Sequence, residues 1–141
     1  MPENESGGQS HSRIVGMWTV NFYVDSKLWD FAIEQFYADG NEMTNDIGAA
    51  PSVGNICWGV WQRTGGRTFK LNHIGLVFDT NGKYIGLFKL AASLTVANHG
   101  DTFTGTFVAD QEDLSGKNIP DLHFEGTLQA TRFKVDNSNA R

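Results

Sequence analysis

Residues 57–73 read CWGVWQRTGGRTFKLNH. This stretch gathers the only cysteine, Cys57, with Trp58, Trp61 and His73 around the pair Gly65-Gly66. Apolar and polar residues alternate by twos on both sides of the pair, the period of a half-buried strand. A Gly-Gly pair supplies the positive φ that a tight hairpin requires. The stretch therefore reads as two strands and a turn. When a hairpin loop has an even number of residues, paired residues have position numbers of opposite parity and point to the same side. A turn centred on Gly65-Gly66 puts Trp58, Val60 and Gln62 on one face with Phe69, Leu71, His73, Gly75 and Val77. Cys57 and Trp61 fall on the other face.

The same reading extends outward from this hairpin. Turns near Asn81-Gly82 and His99-Gly100 carry the apolar face to Tyr84, Gly86, Phe88, Leu90, Ala92 and Leu94, and then to Phe103, Gly105, Phe107, Ala109 and Gln111. The opposite face holds Lys70, Asn72, Lys89, Thr95, Thr104 and Asp110. Three turns thus agree on one partition, which fixes the register unless a bulge intervenes. Eight strands are expected, at 16–23, 31–38, 41–46, 56–63, 67–79, 83–97, 101–112 and 121–135. No segment shows helical periodicity, and no proline interrupts a strand. A meander of eight antiparallel strands leaves two open edges, and closure into an up-and-down β-barrel removes them. A sandwich of the same strands is the competing arrangement.

Strand one turns Trp18, Val20 and Phe22 inward. The last strand turns Leu122, Phe124, Gly126, Leu128, Ala130 and Arg132 inward. Strands two and three admit two registers. Either Phe36 and Met43 face in with Glu34 and Asn45, or Phe31, Ile33, Gln35 and Tyr37 do. The first is preferred because Phe36 and Met43 then pair across Asp39-Gly40. The turns at Asp39-Gly40, Gly65-Gly66 and His99-Gly100 share one end and are short. Segments 24–30, 46–55 and 113–120 share the other end, so a closed end and a mouth with longer loops are expected.

The bulk numbers exclude several classes. Of 141 residues, 40% are hydrophobic and 12% aromatic, enough for one domain with its own core. The net charge is −5, with basic residues scattered, which argues against nucleic acid or an anionic membrane as partner. A lone cysteine makes no internal disulfide. The start, MPENESGGQSHSR, lacks the apolar segment of a secretory signal, so a cytoplasmic location is expected. Residues 1–12 and 136–141 read as flexible tails around a barrel domain at 13–135.

The chain resembles the lipocalin-like (calycin) barrels. The resemblance rests on Gly16-Met17-Trp18, a G-x-W at the start of strand one, and on Arg132 near the end of strand eight. It implies that Trp18 plugs the closed end and that Arg132 packs over it. It covers residues 14–135 in architecture and only these few residues in motif. The absence of a disulfide, an evident lid or a C-terminal helix makes the chain more similar to the small bacterial members than to secreted animal transporters. Barrels of this kind also include allene-oxide-cyclase-like and spirotetronate-cyclase-like enzymes, so the resemblance leaves function open.

His73 is the foremost candidate for chemistry. It lies on the apolar face, with Trp58 and Leu90 as expected neighbours, where it can serve as general acid/base, as a ligand anchor or as a hydrogen-bonded core residue. Phe36, Met43, Trp58, Phe88, Leu90, Phe107 and Phe124 are expected to line a cavity. Tyr84 and Gln111 stand near its mouth, where they can hydrogen-bond a ligand and Tyr84 can assist proton transfer. Glu34, if inside, needs a partner. His11, His73, His99 and His123 show no metal-ligand spacing, so neither a metal nor a cofactor is expected. Trp61 on the outer face marks a candidate subunit contact in a homodimer. The expected function is binding of a small hydrophobic molecule, with a cofactor-independent isomerase or cyclase as the alternative.

Overall fold

The structure is a computed structural model that describes residues 13–135; the two expected tails lie outside the described residues. The strands are β1 (Gly16–Val24), β2 (Lys27–Phe36), β3 (Asn41–Asp46), β4 (Ile56–Gly65), β5 (Thr68–Phe78), β6 (Tyr84–Val96), β7 (Thr102–Glu112) and β8 (Asn118–Phe133). Each pairs antiparallel with the next, and β8 pairs with β1, closing an eight-stranded up-and-down barrel. The one helical element among the described residues is a 3₁₀ turn at Pro51–Val53. No helix there is long and apolar enough to cross a membrane.

The closed end is sealed by aromatic side chains. Trp18 packs edge-on to Phe103 at 4.6 Å, and Phe36 meets Phe103 at 6.0 Å and Trp61 at 6.3 Å. Trp61 in turn meets Phe69 at 5.9 Å. The Trp18 indole donates to the Ile14 carbonyl at 2.8 Å, and Ile14 is fully buried beside it. Arg132 lies over the Trp18 ring, 4.3 Å from its centroid. Its guanidinium also donates to the carbonyls of Gly100 (2.9 Å), Val15 (2.8 Å) and Arg13. One cation thereby covers an indole face and ties residues 13–15 to the β6–β7 turn.

Parity holds across β5, β6, β7 and β8 but fails at two turns. The β4–β5 turn is Gly66-Arg67, between Gly65 and Thr68, and the pairing then shifts between Arg63 and Gly65. Thr64 is the extra residue of this bulge, and it reverses β4 relative to the expectation. Gly59 therefore opposes His73, and Trp61 opposes Leu71. Cys57 and Trp61 face inward and are buried. Trp58, expected to line the cavity, is 64% exposed, and Val60 and Gln62 are exposed with it. Trp61 is accordingly not an outer-face subunit contact.

The β2–β3 turn has a three-residue loop closed by Tyr37 N–H donating to the Asn41 carbonyl, with Gly40 at φ +94°. An odd loop pairs residues of like parity, so Phe36 opposes Glu42 and Glu34 opposes Thr44. Glu34 and Phe36 face inward as preferred. Met43 and Asn45 do not: Met43 pairs with Gln35 and Trp58 on the outer face, and Glu42 and Thr44 take the interior positions.

The mouth also differs from expectation. Segment 24–30 is strand rather than loop, because Asp25 and Ser26 adopt left-handed φ of 51° and 65° and make a two-residue turn. The 113–120 connection is tight as well. Asp113 Oδ1 accepts from the N–H groups of Ser115 and Lys117, and β8 begins at Asn118. Only the 47–55 connection remains long. Tyr84 is exposed at the rim, where a shift between Val77 and Phe78 pairs it with Phe78 and turns it from the interior.

Candidate functional site

The interior has two chemically distinct walls. β6, β7, β8 and β1 contribute mostly apolar side chains, while β2 and β3 contribute Asp30, Glu34, Glu42, Thr44 and Asp46. The reversal of β3 adds Glu42, Thr44 and Asp46 to the Asp30 and Glu34 that β2 supplies.

Four polar residues meet at mid-barrel. The Thr44 hydroxyl lies 3.1 Å from Glu34 Oε2 and 3.2 Å from His73 Nδ1, and it also contacts Glu42 Oε2. His73 Nδ1 stands 3.3 Å from both Glu42 oxygens. Glu42 and His73 are two strands apart, and Gly59 lies between them on β4. A Cβ at Gly59 would come within 2.2 Å of Glu42 Oε1 and 2.7 Å of His73 Cβ, so the contact depends on that glycine.

All four side chains are buried. Burial, reinforced by neighbouring Glu42, holds the Glu34 carboxyl well above the usual range. Burial pushes Glu42 up to about 7, opposed by hydrogen bonds from Glu34 and Thr44. His73 is held below its ordinary value by burial, against the pull of Glu34 and Asp46. At 3.3 Å the Glu42–His73 contact is longer than the 2.7–2.9 Å typical of charge-assisted bonds. One hydroxyl proton cannot serve every contact of Thr44. The set closes when Glu34 is protonated and His73 carries its proton on Nδ1. Glu34, Glu42 and His73 also bring one donor atom each within 4.8 Å of one another, a set that could hold a divalent cation. The histidine spacing showed no such set, because its members come from three strands.

Toward the mouth lies a pocket of about 300 Å³. Its lining is mixed: Trp29, Phe88, Leu122 and Phe124 are apolar, and Asp30, Asp46, Cys57 and Gln111 bring polar groups. Trp29 arrives there through a bulge. Phe22 pairs with Asp30 and Tyr23 with Leu28, leaving Trp29 as the extra residue. Trp29 stacks at 5.4 Å on Phe107 and packs at 5.1 Å on Phe124. Expected as loop, Trp29 and Asp30 were the pocket residues least visible in the sequence.

Asp30 Oδ1 accepts from the Phe31 N–H at 2.9 Å, and Asp46 Oδ1 accepts from the Gly48 N–H at 3.0 Å. Burial, then the neighbouring Asp46, pushes the Asp30 carboxyl up to about 7, while the N–H groups of Phe31, Ile47 and Gly48 pull it down. Burial raises Asp46 as well. The Cys57 thiol is pushed far above its usual value by burial and by the fields of Asp46, Glu42, Asp30 and Glu34.

Of the expected lining residues, Phe88, Gln111 and Phe124 reach the pocket. Leu90 and Phe107 are buried in the core beneath it, and Phe36 is buried at the closed end. His73 sits in the buried quartet, with Phe88 at 6.4 Å, and is not part of the pocket wall. Trp58, Met43 and Tyr84 are outside.

No family model, curated protein or solved structure matches the chain.

Proposed function

We propose that the barrel binds a small, largely apolar molecule in the pocket at its mouth. The observation that carries this reading is the mixed lining, in which Trp29, Phe88 and Phe124 border the same space as Asp30, Asp46 and Gln111. An apolar surface supplies affinity, and a few placed polar groups fix orientation. A volume of about 300 Å³ matches the lower end of small-molecule sites. The closed barrel and the Arg132–Trp18 contact support a lipocalin-like assignment, in which the sealed end is structural and the mouth is the working end.

One observation favours a second reading, a cofactor-independent isomerase or cyclase. Asp30 stands in the pocket wall with its carboxyl up to about 7, the condition for a general acid/base at neutral pH. In that reading Asp30 rather than His73 exchanges protons with the substrate, because His73 lies outside the wall. Native mass spectrometry of protein purified from its source tests the binding reading. A co-purifying small molecule that dissociates on unfolding supports it. Protein that is always empty, and that binds no apolar probe in solution, contradicts it. Asp30→Asn separates the two readings: it abolishes turnover in an enzyme and only alters affinity in a carrier.

A further inference from the structure

The pocket's charge identifies the class of ligand. Resting on the binding reading above, we infer that the pocket selects molecules whose apolar body carries a protonated amine and rejects those carrying a carboxylate. Two carboxyls, Asp30 of β2 and Asp46 of the adjacent β3, line the pocket. Glu34 and Glu42 lie deeper on the same two strands, at 2% exposure each. Against these, His73 is the one basic side chain facing this half of the interior among the described residues. Arg132 is at the closed end, held by the carbonyls of Arg13, Val15 and Gly100. The pocket therefore offers two carboxyls to an ammonium group and no basic side chain to receive an anion.

The aromatic part of the lining fits the same ligand. Trp29, Phe88 and Phe124 present aromatic rings to the space that Asp30 and Asp46 border. An ammonium group gains from a carboxylate and from ring faces together, and both gains grow in a site shielded from water. A carboxylate in the same place finds no cation and stands beside two carboxyls whose ionisation it would oppose, which is an element acting against the wrong ligand. A neutral alcohol of the same body can donate to Asp30 but gains no ion pair.

The test uses three ligands of one shape, 1-naphthylmethylamine, 1-naphthylmethanol and 1-naphthoate, titrated into the full-length protein by calorimetry at neutral pH. The amine is expected to bind about tenfold more tightly than the alcohol, the equivalent of one charge-assisted contact. The carboxylate is expected to bind more weakly than either. Asp30→Asn and, separately, Asp46→Asn are expected to narrow the gap between amine and alcohol. Equal binding of amine and alcohol to the wild-type protein overturns the charge selection and leaves the pocket reading standing. Binding of none of the three overturns both.

Discussion

Glu42 Oε1 and His73 Nδ1 stand 3.3 Å apart across Gly59, although β4 runs between their strands. Two long polar side chains can meet over an intervening strand only where that strand offers no side chain. Gly59→Ala is therefore expected to destabilise the protein by roughly 1–3 kcal/mol, the range for overpacking a filled core. Chemical denaturation checks this, with Gly66→Ala as a comparison that meets open space but strains a positive φ.

Arg132→Ala should weaken the closed end. It removes the cation over Trp18 and leaves the carbonyls of Gly100 and Val15 without their donor. A loss of about 2–4 kcal/mol is expected from these combined. Trp18 fluorescence should become accessible to a soluble quencher in the folded variant.

The buried carboxyls make stability depend on pH in an unusual direction. Glu34, Glu42, Asp30 and Asp46 all have folded values above their unfolded ones, so the unfolded chain releases protons first as pH rises. Their contribution is present in acid and is lost as pH climbs from about 4 to beyond 7. His73, shifted downward, opposes this only below its ordinary value of 6.5. Resistance to urea should therefore be greater at pH 5.5 than at pH 8. Glu42→Gln should flatten the profile, and an unchanged profile would count against a buried, protonated set.

Cys57 should be nearly inert. It is 3% exposed and its thiol is pushed far above the usual range, so little thiolate exists at pH 8. An aromatic disulfide reagent is expected to titrate it only after unfolding. Rapid reaction in the native protein would place it on the surface, where the simple parity argument had put it.

The strand count, the closed barrel and the inward faces of β5, β6, β7 and β8 follow from alternation and short glycine turns. The G-x-W and Arg132 pointed to the closed end. What the sequence hid is local. The bulge at Thr64 and the three-residue loop before Asn41 each shift pairing by one residue, and one residue exchanges the two faces of a strand. That exchange removed Trp58 and Met43 from the interior and brought in Cys57, Trp61, Glu42 and Thr44. A second bulge carried Trp29 into the pocket, beside Asp30. The signals for these shifts are side-chain hydrogen bonds such as Thr68 to the Gly65 carbonyl at 2.7 Å, which alternation does not report. His73 was rightly placed inside, yet its partners belong to strands whose faces parity had reversed or left open.

The most direct test of the pocket is a ¹⁵N NMR titration of the full-length protein with 1-naphthylmethylamine. Shifts are expected at the Trp29 indole and at the amides of Asp30, Gly48, Gly75 and Phe124, with Trp58 on the outer face unmoved. Shifts centred on Trp58, or none at the Trp29 indole at saturating ligand, would contradict a binding site at the mouth of the barrel.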